Sequence, residues 1–551
     1  MATATQKKLH AFHLSLYEKA FQDAHSYATL GSPSILSYKE KFVACLPNDP
    51  RVTDLSEIVG AAHQGTFLLY GDFHTLRQAQ GGLLQLLDAY AEEHPQRPVI
   101  LALEMFKAID QPAIDAFMAA RISEEELLQA VSYAQDWGFP WGHYRELLVF
   151  ARTHGFKILG INSDMGGKDD LRFRDQFAAK LLTAAATAQP EALIVCQIGE
   201  YHLADQHLPA CLASEAGDSR LVVRVFSNIE RYYFSVSLHR EHHAAEYLFL
   251  KPNMFCILNV SPWLKWQSHA FWEEQRQAET ADAFDDDGAL YTEESLDVDY
   301  HVLALATNLA SFLDLQLPKS ELTRFNIFMN PDRQTLAEIG QRYVIPDEEM
   351  LAYAERARLD GYGFIPKGMT IILTEPSLNN FAEATGRLLY HLARRARPAL
   401  ENREDVLFRR IEEAAAGMVA TKILNPRRKS RDLDYFTSYL RTTKKKRLVA
   451  AEQVERATAR GVVRFHEWLG ERANGARFPR SLISEDNASH HELSHALGQM
   501  LGASLFHATM AGGHAVDPVR TLFTGGQAPE LFATVPQGAQ TRRVLTSVRT
   551  K

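Results

Sequence analysis

Residues 66–74 read TFLLYGDFH, and residues 193–202 read LIVCQIGEYH. Each stretch is an apolar, β-prone run that leads into a glycine, and a histidine follows three positions after that glycine. Runs that are apolar at nearly every position are typical of strands buried on both faces of a sheet. The two stretches therefore predict two buried parallel strands with polar side chains at their carboxyl ends, where open α/β sheets bind ligands.

Three further apolar runs continue this pattern, at residues 98–103, 157–161 and 221–226. Stretches with the spacing of amphipathic helices, such as 83–93 and 171–188, lie between the runs. This alternation predicts an α/β fold, with a mostly parallel sheet and flanking helices. After about residue 245 helical patterns dominate, with one short strand candidate at 370–373, so we expect a largely helical C-terminal region.

We expect four segments along the chain. They are an N-terminal helical segment at 1–60, the α/β domain at 61–245, a connecting segment with an acidic loop at 246–300, and a mainly helical domain at 301–551. Aspartate and glutamate crowd residues 273–299 against a single arginine, which is typical of a solvated loop. The last thirty or so residues are expected to form a loose tail.

The composition excludes several classes of protein. Apolar residues make up 46 % and charged residues 23 % of the chain, which is normal for globular proteins. The net charge of −9 disfavours nucleic acid as a partner, although a basic stretch at 427–447 is open to interpretation as a solvated face or a polyanion contact. Four widely spaced cysteines, and no apolar leader or membrane-spanning run, indicate a soluble cytoplasmic protein.

Four polar residues follow successive predicted strands: His74, Glu104, Asp164 and His202. Because the carboxyl ends of parallel strands meet at one edge of a sheet, these side chains are expected to converge. Two imidazoles and a carboxylate can bind a divalent metal ion, or serve as acid and base around a bound water. The histidines are equally open to interpretation as buried, hydrogen-bonded core residues.

The order of these motifs resembles one family. The series is GDFH at 71–74, ALEMF at 102–106, WGFPWGHY at 137–144, GIN at 160–162 and IGEYHLADQHLP at 198–209. It is similar to the ChaN-like haem-binding group of the Tiki superfamily, over roughly residues 60–240. The superfamily also contains Tiki and TraB proteins and looks distantly related to erythromycin esterases.

The resemblance implies two kinds of function. ChaN-like proteins are linked to haem or iron uptake, whereas Tiki-type members are metal-dependent hydrolases that use paired GxxH motifs and a glutamate. Matched by motif, the metal-binding and catalytic residues would be His74, Glu104 and His202, and the cofactor haem, iron, or a divalent Zn, Mn or Co ion. The expected ligand is a small molecule, haem or a peptide, and a homodimer is left open. Asp72 departs from the glutamate that many relatives carry, and the chain begins without the export leader of ChaN proper.

Aromatic residues near the motifs are candidates for haem contacts. Trp137, Trp141 and Tyr144 are expected either to form a wall for a flat apolar ligand or to pack in the core. Tyr201 lies next to the second motif histidine and is a candidate phenolate ligand of ferric haem.

A different motif lies in the helical half, where residues 491–495 read HELSH. On a helix His491 and His495 share one face and can bind zinc, with Glu492 as general base, so a zinc metallopeptidase is an alternative function. Leu501 stands where a third metzincin histidine would fall, and the segment also resembles an amphipathic packing helix in which Gly498 and Gly502 allow close approach. A non-catalytic interaction protein with a degenerate ChaN-like core is a further alternative.

Overall fold

The computed structural model describes residues 2–27, 33–163, 171–216, 221–239, 242, 244–282, 298–374, 377–394, 402–444, 446–483, 487–512 and 517–535. The chain forms two compact units. The first, the sheet unit, comprises residues 10–288. The second, the helical unit, comprises residues 289–551 together with residues 1–9. The prediction of an acidic loop is wrong for residues 273–282, because the helix Pro262–Asp282 includes them, and residues 283–297 lie outside the described residues.

The sheet unit alternates strands and helices along the chain. Its elements are α1 (Ala4–His25, from His10 onward), α2 (Pro33–Cys45), β1 (Arg51–Val52), α3 (Leu55–Gln64), β2 (Phe67–Asp72), α4 (Arg77–Glu93), β3 (Val99–Lys107), α5 (Gln111–Met118), α6 (Glu124–Ala130), α7 (Tyr133–Asp136), α8 (Trp141–Thr153), β4 (Lys157–Asn162), α9 (Leu171–Ala188), β5 (Leu193–Gly199), α10 (Leu208–Ala216), β6 (Val222–Ser227), α11 (Glu230–Ser237), β7 (Tyr247–Lys251), β8 (Met254–Ile257) and α12 (Pro262–Asp282).

The helical unit contains long helices and a small sheet. Its elements after α1 are α13 (Val298–Phe312), α14 (Lys319–Leu322), β9 (Asn326–Met329), α15 (Arg333–Tyr343), α16 (Asp347–Asp360), β10 (Tyr362–Ile365), β11 (Thr370–Leu373), α17 (Leu378–Ala393), α18 (Arg403–Leu424), α19 (Leu433–Thr443), α20 (Ala450–Glu471), α21 (Asn487–Ala511), α22 (Pro518–Thr524) and α23 (Ala528–Thr534).

Within the described part of the sheet unit, eight strands form one sheet in the order β1-β7-β8-β6-β2-β5-β3-β4. The pairs from β8 through β4 are parallel, and only β1–β7 and β7–β8 are antiparallel. Alternate residues of one strand enter opposite hydrophobic clusters, so that Leu68 and Tyr70 pack on one face while Phe67 and Leu69 pack on the other. Helices cover both faces, which is why the central strands are apolar throughout. The predicted α/β class with a mostly parallel sheet is confirmed.

Several short elements escaped the sequence prediction. β7 and β8 extend the sheet after residue 245, and β9 and β10 accompany the one strand predicted in the helical half. These strands are only four or five residues long, so their apolar runs do not stand out from helical patterns. The prediction of a loose tail is wrong for residues 528–534, because α23 buries Leu531 and Phe532. Residues 536–551 lie outside the described residues.

Glycines permit the closest helix packing in the helical unit. α21 lies against α18 at Gly498 and Gly502, where an added Cβ would collide with Ala414 and with the carbonyl oxygen of Ala415 respectively. The expectation that these two glycines allow close helix approach is confirmed. None of the described helices combines the length and the apolarity that crossing a bilayer would require.

The packing at Gly498 gives a matched pair of substitutions. Gly498→Ala is expected to lower the free energy of unfolding of the helical unit by about 1–3 kcal/mol, because the methyl group overpacks the α18–α21 contact. Gly470→Ala, on exposed α20 with nothing near its Cβ position, is expected to raise it by up to about 1 kcal/mol through helix propensity. Thermal and denaturant unfolding measure both, and equal effects at the two sites would contradict this packing.

Candidate functional site

The register of the sheet places the two GxxH motifs side by side. β2 and β5 are parallel neighbours, and Asp72 pairs with Gly199. Gly71 is needed for close packing, since an added Cβ would lie 3.3 Å from Glu200 and 3.2 Å from Leu203. Neither Gly71 nor Gly199 has a positive φ. The backbone conformation therefore does not require glycine at either position, and the close approach of the motifs explains Gly71.

His74 is held by a buried carboxylate. Its Nδ1–H donates to Asp72 Oδ2 at 3.0 Å. Asp72 also accepts hydrogen bonds from the Gln80 amide at 2.7 Å and from the Tyr144 hydroxyl at 3.0 Å. These bonds fix the carboxylate, which in turn fixes the tautomer and direction of the imidazole. The shorter aspartate at this position thus reaches the histidine of its own motif.

His202 has an equivalent support from a different helix. Its Nδ1–H donates to Asp175 Oδ1 at 2.6 Å, and the Tyr38 hydroxyl donates to the other oxygen of that carboxylate at 3.0 Å. Asp175 lies on α9 and is almost fully buried. Both motif histidines therefore bind one carboxylate through Nδ1 and present the opposite ring nitrogen, Nε2, to the rest of the site.

Glu104, near the end of β3, lies between the two imidazoles. Its oxygens are 3.7 Å from His74 Nε2 and 3.8 Å from His202 Nε2. The backbone N–H of Gly199 donates to Glu104 at 2.8 Å, and Arg174 approaches it at 4.0 Å. The structure thus brings His74, Glu104 and His202 together, although 128 positions separate the first from the last.

The charges of this group support one another. Burial lowers the pKa of His74, but the hydrogen bond to Asp72 and the charges of Asp72 and Glu104 outweigh it and hold the pKa above its ordinary value. The pKa of His202 is raised in the same way, with Asp175 as the partner. Burial raises the pKa of Glu104, yet the two histidines, Arg174 and the Gly199 N–H bring it below the usual range. Glu104 is therefore an ionised acceptor between two basic rings.

Aromatic side chains border His74. The ring centroid of Trp137 lies 4.6 Å from that of His74, and the centroid of Phe139 lies 4.9 Å from it. Trp272 on α12 stacks on Phe139 at 4.7 Å and 24°. Of the aromatic candidates from the sequence, Trp137 contacts a motif histidine directly, and the sequence prediction missed Phe139 and Trp272.

The other aromatic candidates have different surroundings. Trp141 donates from Nε1 to Glu124 at 2.7 Å and packs edge-on against Tyr133. Tyr144 is buried, and its hydroxyl supports Asp72 as described above. Tyr201 packs on Phe42, and burial raises the pKa of its phenol.

Asn162, at the end of β4, makes a local side-chain contact. The Asn162 side chain accepts the N–H of Ser163 at 3.0 Å, as a local loop cap does. Asp164 lies outside the described residues. Across the part of the chain that the structure describes, no group of three or more histidine, cysteine, aspartate or glutamate side chains is placed to hold a metal ion. As the side chains stand, His74, Glu104 and His202 do not form a ready metal cage.

The HELSH motif lies on α21 in the helical unit, among arginines. Arg356 pairs with Glu492 and, at 2.5 Å, with Asp360. Arg387 donates to His495 Nδ1 at 3.4 Å, and the Gln499 amide lies 2.9 Å from His495 Nε2. Glu492 is thus engaged by a cation, which opposes its use as a general base for zinc-bound water.

The surroundings of the two histidines in this motif disfavour a bound metal cation. Burial, followed by the charges of Arg356 and Arg387, holds the pKa of both His491 and His495 well below the ordinary value. The same positive charges would repel a zinc ion. The zinc-peptidase interpretation stays a prediction that these surroundings do not favour.

Comparisons with known proteins bear on the sheet unit. Residues 58–166 match a family model described as haem-binding uptake, Tiki superfamily, ChaN. The resemblance to this family expected from the motif series is thereby confirmed, and the 551-residue chain carries a long extension beyond the matched segment. The matched segment contains His74 and Glu104 but ends before His202.

Two solved structures are among those that match this chain. One, titled "Cofacial heme binding to ChaN of Campylobacter jejuni", is 15% identical, covers 32% of this chain and 87% of that chain, and has a TM-score of 0.28. The other, titled "Crystal structures reveal a thiol-protease like catalytic triad in the C-terminal region of Pasteurella multocida toxin", is 18% identical, covers 34% of this chain and 26% of that chain, and has a TM-score of 0.22. Similarity at this level carries no inference about function. The curated proteins include no match to this chain.

The buried histidines of the helical unit predict a pH dependence. Unfolded histidine titrates near pH 6.5, whereas folded His491 and His495 stay neutral to lower pH. As the pH falls below about 6.5 the unfolded state therefore binds more protons, and the free energy of unfolding decreases. His491→Leu should make this decrease shallower, whereas His154→Leu, an exposed position in the sheet unit, should leave it unchanged. Thermal unfolding between about pH 7.5 and about pH 5.5 measures the slopes, and identical slopes in wild type and His491→Leu would contradict the prediction.

Proposed function

We propose that the strand-end site of the sheet unit binds haem and that His74 is the ligand to its iron. One observation carries the proposal. The side chain of His74 is 24 % exposed, its Nδ1 is hydrogen-bonded to a buried carboxylate, and its ring packs against Trp137 and Phe139, which also contact each other. An imidazole held in this way offers Nε2 to a metal from a fixed direction.

Accessibility separates the two motif histidines. The side chain of His202 is only 6 % exposed, so a macrocycle has little access to it. His202 is better suited to support Glu104 than to hold a bulky cofactor. We therefore assign unequal roles to the two motifs. His74 of the first motif binds the haem iron, and His202 of the second motif supports the Glu104 carboxylate.

The surroundings of His74 suit a flat apolar ligand. Trp137, Phe139 and Trp272 offer aromatic surface next to the imidazole, and such surface packs well against a porphyrin. Tyr201 is a weaker candidate for iron ligation, because burial disfavours its phenolate. Bound haem would supply an iron centre for redox or transfer chemistry, and the family description of haem-binding uptake supports this ligand class.

Haemin titration tests the assignment. Wild-type protein is expected to bind haemin saturably with a shifted Soret band, and His74→Ala should weaken the affinity at least about tenfold, because the iron loses its protein ligand. His202→Ala should weaken it less. The matched control is His154→Ala, an exposed histidine at the C-cap of α8 and outside both GxxH motifs, which should bind as wild type does. Unchanged binding by His74→Ala, or equal loss in the control, would refute the assignment.

Hydrolysis is a second candidate, favoured by the carboxylate–histidine pairs. His74 with Asp72 resembles the base and its orienting acid in hydrolases, and an ionised Glu104 lies beyond Nε2. In this version His74 accepts a proton from a water bound at Nε2, and Glu104 stabilises the resulting imidazolium. In this version His74 and Glu104 alone activate the water.

Elemental analysis of the purified protein discriminates the cofactors. Haem binding predicts iron that is lost in His74→Ala and accompanied by a Soret band. A divalent site predicts near-stoichiometric zinc, manganese or cobalt that is lost in both His74→Ala and His202→Ala, since a small ion needs several ligands. Metal lost only in a His491→Ala/His495→Ala variant would place the metal in the helical unit and overturn both the haem and the divalent-ion assignment at the strand-end site.

A further inference from the structure

Helix α12 contacts both GxxH motifs, although it lies nearly a hundred residues beyond the segment matched by the family model. Ser268 donates from Oγ to the carbonyl oxygen of Lys265 at 2.7 Å. The hydroxyl of Thr75, next to His74, lies 3.0 Å from the same Oγ, so Thr75 is the donor in that pair. Trp266 packs edge-on against Phe73 at 5.6 Å. The helix thus holds the turn that follows β2.

The same helix reaches the second motif through a buried cation. Lys265 Nζ lies 2.9 Å and 3.0 Å from the two oxygens of Glu200, and 3.3 Å from Glu230. It also lies 4.8 Å from the centroid of Phe73, within reach of a cation–π contact. Phe73 precedes the first motif histidine, and Glu200 follows the second motif glycine. One ammonium group therefore contacts both motifs.

Burial of the Lys265 ammonium group costs solvation free energy. The side chain of Lys265 is 1 % exposed, and a buried charge is tolerated only when it is paired. An apolar side chain of similar volume would fill the space without desolvating an ammonium, and such replacements are often neutral or stabilising. An apolar side chain, however, would not fix the distance between Glu200 and the turn at Phe73, because it carries no charge to attract the carboxylate.

We propose that Lys265 is a positioning residue of the strand-end site, which ties the turn carrying His74 to the turn carrying His202 so that both Nε2 atoms face Glu104. Glu200 begins the short 3-10 turn Glu200–Leu203 that contains His202. Holding Glu200 therefore sets the direction of that imidazole relative to His74. The assignment of haem as the ligand rests on the function proposed above, whereas the alignment of the histidines is testable without it.

The decisive variants separate alignment from stability. Lys265→Met leaves Glu200 buried without its cation and is expected to lower the melting temperature. The double variant Lys265→Met/Glu200→Gln removes the cation and the carboxylate nearest to it and leaves Glu230, whose side chain is 20 % exposed, so it should recover part of the lost melting temperature while the tie stays broken. Arg394→Met is the control, since it removes a buried ion pair with Glu412 in the helical unit.

Two measurements are made on the same preparations of wild-type protein and variants. Histidine-selective 15N spectra of ligand-free protein at one fixed pH report the ring nitrogens of His74 and His202, assigned from single histidine substitutions. Haemin titration reports ligand binding. The double variant is expected to shift both histidine signals and to bind haemin at least about tenfold more weakly than wild type. Arg394→Met should change neither readout.

Each outcome decides the proposal. Wild-type histidine signals in the double variant overturn it and make Lys265 a purely structural residue. If the double variant does not fold, Glu200→Gln alone weakens the pair while keeping a hydrogen-bond acceptor for Lys265, and unchanged histidine signals there overturn the proposal as well. If wild-type protein binds no haemin, the haem assignment fails, and the ligand-free spectra still decide the role of Lys265.

Discussion

The parallel pairing of β2 with β5 in one register is the constraint on which the strand-end site depends. Because Asp72 is paired with Gly199, each motif histidine projects from the same edge of the sheet, and the Glu104 carboxylate on β3 falls between them. A shift of one residue in this pairing would exchange the faces of a whole strand and separate the imidazoles. The hydrophobic clusters on the two faces of the sheet specify this register, so the position of the site depends on the packing of the core.

The central strands and the convergence of the histidines could be predicted from sequence for a physical reason. A strand covered on both faces must be apolar at consecutive positions, and this leaves a clear signal at 66–72 and 193–199. Parallel strands end at one edge, so the polar residues that follow them are neighbours in space. The edge strands β7 and β8 and the small sheet of the helical unit lacked that signal because they are short.

The supporting residues could not be predicted, because their partners come from remote parts of the chain. Nothing local marks Asp175 on α9 as the carboxylate that orients His202, or Lys265 on α12 as the cation of Glu200. The HELSH motif shows the converse case, in which a local pattern predicts a site that its tertiary surroundings oppose. Its spacing satisfies a zinc-site pattern, yet Arg356 and Arg387, which come from other helices, surround it with positive charge. A local pattern specifies geometry on one helix, and tertiary packing decides the electrostatics.

The position of α12 in the chain has a consequence for biosynthesis. Ribosomes deliver the first motif, then the second, and Lys265 only after both. Until α12 docks, the nascent sheet carries Glu200 without its counter-ion and Phe73 without its cover. A chain that ended before residue 262 would carry both motifs and would lack the cation that pairs with the buried Glu200 carboxylate.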